Sequence, residues 1–429
     1  MITVNVGRTF LKAWNEKNNK QLKVEEFFRQ EYVEVFYNHP KYLMPGYNSP
    51  LENPKISWKN GERPNPQQRA ERIKKTIEKI KSNHLDASVA MGFPASDIDE
   101  FQPTSGLITD MASPYSIDDK FFSWIGAGLA LGVSGGLYIL FDDPEILYKT
   151  YEGWKVYRKF LNDSTLEKLV GNKITSWNGQ WLNYTFSNSY RENHDFATLD
   201  NLGIFKHDKT ETVIETVKWS RLFFNLSNHY PNQTITGYVF GFGQMNKTMG
   251  FYPFLFQHAR KPIFLYRKLF GENAAIDEAN QYEDLFGLDI RKACELGAFG
   301  IQALQPPDLF NDIANDKKLE LIKFRTYKTW LLAMINKEET LKLTGDLAEL
   351  LLAFRDGSKG TDRKALIEKK LFQSGKKNFL NHFEEIVIAM PEKKEMLKSF
   401  SDKIFYMDIE EFGYFLALLK LDYRYQDNS

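Results

Sequence analysis

Residues 237–268, GYVFGFGQMNKTMGFYPFLFQHARKPIFLYRK, set glycines, aromatics, amides and cations side by side in a pattern that is neither a clean helix nor a clean strand. Residues of these types suit close approach to a polyanion. Gly241, Gly243 and Gly250 let backbone amides come near phosphates, Gln244, Asn246, Lys247 and Thr248 supply donors, and the Phe and Tyr rings offer faces to unstacked bases. Arg260, Lys261, Arg267 and Lys268 follow as a cationic cluster able to hold a phosphate backbone independently of sequence. The same stretch also reads as a β-hairpin whose turn is glycine-rich and whose aromatics belong to a core.

Enzymatic spacings are fewer. Gly132-Val133-Ser134-Gly135-Gly136 satisfies the G-x-S-x-G nucleophile elbow, so a serine hydrolase using Ser134 stands as one alternative. An elbow needs a strand before it and a helix after it, and no HGGG-like oxyanion segment precedes this one; a glycine-rich packing turn explains it better. GFGQMNKT at 241–248 is one residue from a phosphate loop, with Asn246 in place of the second glycine. MGFYPF follows where a helix should open, which leaves a phosphate-contacting loop in place of a nucleotide hydrolase. The histidines at 39, 84, 194, 207, 229, 258 and 382 have neither HExxH nor H-x-H spacing, and Asp97, Asp99 and Glu100 read as a solvated acidic loop. No catalytic residue, metal ligand or cofactor is expected.

These residues must be carried by a folded chain. Hydrophobic residues are 42% of the 429 and aromatics 15%, with 34 Phe and 21 Tyr, enough for more than one core. Lys plus Arg and Asp plus Glu are 56 each, so no global field draws the chain to nucleic acid or membrane, and binding must use local patches. Cys294 is the only cysteine, which excludes a disulfide and any cysteine-rich metal site and fits a reducing cytoplasm. MITVNVGRTFLKAWNEK shows no secretory pattern. FFSWIGAGLALGVSGGLYILF at 121–141 is uncharged and long enough to span a bilayer, but its glycines and flanking aspartates favour a buried helix or strand-turn-helix.

The order of elements predicts an α+β chain: a mixed region over 1–316, with a subdivision near 120, then a helical bundle over 317–429. Asn65 caps and Pro66 opens a polar helix whose face carries Arg69, Arg72 and Lys75; a solvated face is the simpler reading and a phosphate-backbone contact the alternative. Asp143-Pro144 starts a helix through 161. Segments 174–186, 211–219 and 235–242 read as strands. Helices are expected at 319–335, 340–354, 363–372, 377–389 and 409–421, and QPPD at 305–308 marks a boundary.

Taken in order, the chain resembles the large subunit of a type I CRISPR surveillance complex (Cascade), of the Cas-eight family and nearest its type I-B branch. The likeness rests on the loop-rich FPASDIDEFQPTSG, the small-residue run IGAGLALGVSGG, FGQMNKTMGFYPF followed by IFLYRKLFG, and the helical carboxy-terminal part. Many relatives hold a four-cysteine zinc site that Cys294 alone cannot form, so the resemblance implies a zinc-free branch. It further implies a non-catalytic subunit that recognises a protospacer-adjacent motif in duplex DNA, supports strand opening and recruits a helicase-nuclease, with CRISPR RNA and other Cascade subunits as partners and no membrane. A stand-alone interaction or defence protein with a helical effector bundle is the other class the layout permits.

Overall fold

Ile2–Asn18 forms α1, an amphipathic helix that Asn19 ends in the left-handed region at φ 50. The structure, a computed structural model, describes residues 1–43, 45, 64–81, 115–171, 174–241, 247–271, 279–287, 290–315, 319–357 and 361–427. The longer helices are labelled in chain order. Helices dominate, with a small antiparallel sheet early in the chain and a helical carboxy-terminal part, so the class is α+β.

The chain divides into two compact units, Met1–Gln257 with Asp289–Phe299, and His258–Leu288 with Gly300–Ser429. The expected boundary at 316 lies inside the second unit. Residues before it are tied to the helices after it: Trp330 Nε1 donates to the Ile301 carbonyl at 3.0 Å and the Tyr327 hydroxyl to that of Pro307 at 2.9 Å.

In the first unit, α2 (Pro66–Lys81) opens as expected. Gln68 N–H donates to Asn65 Oδ1 and Asn65 N–H to Gln68 Oε1, both at 2.9 Å, a reciprocal cap. α3 (Ile117–Gly128) begins with a similar box between Ser116 and Asp119 and packs on α1 through glycine on both sides. A Cβ on Gly7 would overlap the Phe122 carbonyl, and one on Gly126 the Thr3 carbonyl.

The uncharged run 121–141 is therefore not one span. It breaks after α3 into β1 (Leu131–Val133) and β2 (Leu137–Phe141), joined through Gly135 and Gly136 at φ 91 and 70. No described helix is long and apolar enough to cross a membrane.

α4 (Pro144–Asn162) starts where Asp143 Oδ1 accepts from the N–H groups of Glu145 at 3.0 Å and Ile146 at 2.9 Å. The next segment corrects the reading. Ile174–Thr185, expected as a strand, is α5. Its β-branched and aromatic residues suggest strand, but Trp177, Trp181 and Tyr184 fall on one helical face and are all buried. Gly179 on this helix leaves room for the Gly132 carbonyl. The segment expected at 211–219 is strand only over Thr212–Ile214 (β4, paired with β3, Phe205–His207), and α6 (Trp219–His229) follows.

The main sheet runs β1-β2-β5-β6, all antiparallel, with β5 at Thr234–Gly241 and β6 at Lys247–Leu255. One aromatic cluster of the first unit gathers Phe10, Phe28, Tyr32, Phe36, Trp124 and Trp154, with Tyr32 stacked on Phe36 at 4.2 Å.

His39 stands at the edge of this core and gives it a pH dependence. Its Nδ1 accepts the Lys41 N–H at 2.9 Å; burial first, then the Arg158 guanidinium, pulls its pKa down to about 4. A neutral ring favours the fold. Because the folded value lies below the ordinary 6.5, the contribution is present above pH 6.5 and fades as pH falls towards 4. Urea midpoints measured across that window should decline for the wild type and decline less for His39→Gln.

The second unit holds α7 (Phe256–Phe270) from His258 onward, α8 (Leu321–Ile335), α9 (Glu339–Asp356), α10 (Lys376–Ala389), α11 (Lys394–Phe405) and α12 (Ile409–Asp427). Leu347, Leu351, Phe379, Phe383, Phe415 and Leu419 form its bundle core. Four expected helices appear within a few residues of their ends. The one at 363–372 is instead a broken series, Thr361–Ala365, a π turn at Leu366–Lys370 and a 3-10 turn at Leu371–Gln373, and α11 was not anticipated.

Candidate nucleic-acid interface

β5 and β6 carry residues 237–241 and 247–255 of the stretch whose composition suggests polyanion contact. Their register pairs Tyr238 with Phe251, Phe240 with Thr248 and Gly241 with Lys247, and a bulge between Val239 and Phe240 is accommodated by Gly250 at φ 127. Gln244 and Asn246 lie outside the described residues, as does the Lys247 side chain; the Lys247 backbone opens β6. Thr248 is exposed, its hydroxyl 3.0 Å from that of Tyr238.

The period of two along the strands sorts the aromatics. Phe254 faces inward and stacks on Phe299 with ring centres 4.1 Å apart and planes 4° from parallel. On the other face a row of rings crosses the sheet: Tyr138 to Phe240 at 5.6 Å, Phe240 to Tyr238 at 5.4 Å, Tyr238 to Phe251 at 5.0 Å. The row runs from half-buried Tyr138 through buried Phe240 and ends at Phe251, which is 62% exposed on the last strand of the sheet. The segment is a pair of strands with core aromatics, and it also presents rings and hydroxyls outward. An exposed ring beside donors is a platform for stacking a base.

The cationic cluster belongs to α7 in the second unit and its members diverge. Lys261 donates to the Ala333 carbonyl at 2.6 Å, near the C-terminus of α8, where a cation complements the helix dipole. Lys268 donates to both oxygens of Glu338 at 2.7 Å. Arg260 and Arg267 remain on one exposed face with Phe264 at the helical spacing i, i+4, i+7, and Phe264 is 64% exposed. Burial first, then the neighbouring charge of Arg267, lowers the pKa of Arg260.

On α2, Arg69 and Arg72 turn partly inward. Arg69 Nη1 donates to the Pro64 carbonyl at 2.7 Å, and burial lowers the pKa of Arg72. Lys75 is exposed and pairs with Glu71 at 3.0 Å, as a solvated helix face does. Phe251, Tyr238 and Phe264 were not singled out from the sequence; for Phe264 the signal was the Arg260-Phe264-Arg267 spacing.

Ser134 lies in the β1–β2 turn, its N–H donating to the Val217 carbonyl at 2.8 Å, and the segment that follows is a strand. The strand-turn-helix setting of an elbow is absent there. His207 ends β3 with Nε2 2.8 Å from Asp200 and Nδ1 3.0 Å from the hydroxyl of the buried Thr212, which pins the small hairpin. His84, Asp97, Asp99 and Glu100 lie outside the described residues, and among the described residues no group of three His, Cys, Asp or Glu could hold a metal. No family model, curated protein or solved structure matches the chain.

Proposed function

We propose that this chain is a non-catalytic nucleic-acid-binding subunit, the large subunit of a CRISPR RNA-guided DNA surveillance complex. In that role it recognises a protospacer-adjacent motif, supports strand opening and recruits a helicase-nuclease. The observation that carries the nucleic-acid part is the ring row ending at exposed Phe251, on β6 with Thr248. The Cas-eight resemblance of the sequence supplies the assembly, and the balanced net charge suits a subunit whose other faces meet protein.

Two measurements test it. Expressed with its neighbouring genes, the chain should co-purify with a guide RNA and backbone subunits; isolation with neither overturns the assembly. Duplex binding by the resulting complex should weaken in Lys247→Ala, with the salt slope reduced by about 0.9 for one lost phosphate contact. Alanine at Gln244 or Asn246 should cost about 1–3 kcal/mol only on the preferred motif. Unchanged binding with alanine at all four of Gln244, Asn246, Lys247 and Thr248 would make the loop structural.

A second reading has its own observation. Phe405, Tyr406 and Ile409 are 63%, 84% and 86% exposed around the α11–α12 joint. An apolar tip of this kind suits a protein-interaction module built on the bundle.

A further inference from the structure

Along α1 in the first unit lies a cleft of about 710 Å3, away from the β5–β6 hairpin in sequence and built from other elements. Arg8, Lys12 and Lys20 line it with one carboxylate, Glu16, so its lining is net positive. Phe122 of α3 forms part of the wall.

The cations are held differently. The Arg8 guanidinium is fixed by Asp119 and lies 5.4 Å from the centre of the Phe122 ring. For Asp119, burial acts to raise the pKa, but hydrogen bonds from Ser116 and Arg8 outweigh it and keep the carboxylate low. Lys20 sits 5.3 Å from the Trp14 ring centre. Lys12 is exposed and has no ion pair among the described residues. Asn19 and Gln21 also line the cleft and are exposed, with no side-chain hydrogen bond among the described residues.

Phosphate oxygens match the free ammonium groups, base edges match the amides, and a base face matches the Arg8–Phe122 pair. An acidic peptide would use the cations and leave the ring and amides idle. The lining along α1 from Arg8 to Asn19 extends about 16 Å at the helical rise, a length suited to a strand more than to a single anion.

We infer that this cleft binds single-stranded nucleic acid through Lys12, Lys20 and the Arg8–Phe122 pair, as a sequence-independent site separate from the hairpin. The inference shares with the proposed function only the class of ligand. RNA and DNA strands offer the same phosphates and base faces, so the experiment carries an arm for each.

The full chain is titrated with fluorescently labelled oligouridylate and oligothymidylate of about 20 nucleotides over a salt series, read by anisotropy. Lys12→Glu with Lys20→Glu should weaken binding about tenfold at low salt. It should also lower the log-log salt slope by about 1.4, at 0.7 for each of two phosphates of a single strand. Phe122→Leu, which keeps an apolar group in the wall, should weaken binding about fivefold through lost stacking. The drop in salt slope produced by the double lysine variant should persist in a Thr248→Ala, Phe251→Ala background, which separates the cleft from the hairpin.

The tighter oligomer identifies the strand, and either preference upholds the site. Unchanged affinity and slope in the double lysine variant overturn the cleft and leave the hairpin reading standing. Duplex binding that depends on the hairpin, with neither oligomer bound, does the same. Displacement of the oligomers by polyglutamate at equal charge concentration, with Phe122→Leu silent, assigns the cleft to an acidic protein segment and overturns the proposal.

Discussion

Gly126→Val is expected to destabilise the first unit by about 3 kcal/mol or more and to lower its melting temperature by about 10 °C. The cause is backbone against backbone. A Cβ at Gly126 would overlap the Thr3 carbonyl, and across the same crossing one at Gly7 would overlap that of Phe122. A flexible neighbour can rotate away from an added methyl; a carbonyl inside a helix cannot, so α1 and α3 must separate along their packed faces. Gly345→Ala in α9 is the control, since nothing lies within 4 Å of its Cβ position and the residue is mid-helix; it should stabilise by about 0.5–1 kcal/mol. Thermal melts of the full chain followed by circular dichroism decide it. Wild-type melting of Gly126→Val would mean that the crossing is not as close as described. Because Phe122 also walls the α1 cleft, the valine variant should lose strand affinity together with stability, whereas the surface lysine changes should lose affinity alone.

Asn178→Leu should cost about 3–5 kcal/mol, the second large effect. This side chain is fully buried and makes three bonds: its Oδ1 accepts from Trp154 Nε1 at 3.0 Å, and its Nδ2 donates to the carbonyls of Gly128 at 2.7 Å and Ala130 at 2.9 Å. Those carbonyls belong to the end of α3 and the link into β1, where the regular backbone pattern is interrupted. Leucine fills similar space but strands an indole N–H and two carbonyls away from water, each costing about 1–3 kcal/mol before relaxation. Urea denaturation should show a lower midpoint with an unchanged slope. A loss below about 1 kcal/mol would mean that water or a neighbouring group replaces the amide.

The sequence determined what a few neighbouring residues decide. Asp143 before Pro144 starts α4, and Asn65 with Gln68 caps α2, because the capping oxygen and the free N–H groups it satisfies lie within three positions. Most of the helices of the second unit are written in their 3.6-residue apolar periodicity, whereas α11 was not anticipated. The lack of an HGGG-like segment before 132–136 already speaks against an elbow at Ser134, and the lone Cys294 rules out a disulfide within the chain.

Only the tertiary structure decided the rest. Residues 174–185 look like a strand until Trp177, Asn178, Gly179 and Trp181 find partners on α4 and β1 that local propensity does not contain. The cations of 260–268 are equal in sequence. Only folding commits Lys261 to the Ala333 carbonyl and Lys268 to Glu338, some 70 residues on. The same holds for the aromatics of 237–268. Strand register sends Phe254 inward and Phe251 outward, and register is fixed by pairing with β2 and β5, not by the residues themselves. Local signals set where elements begin and end because their partners are a turn away; which side chains remain for a ligand depends on groups that only folding brings within reach.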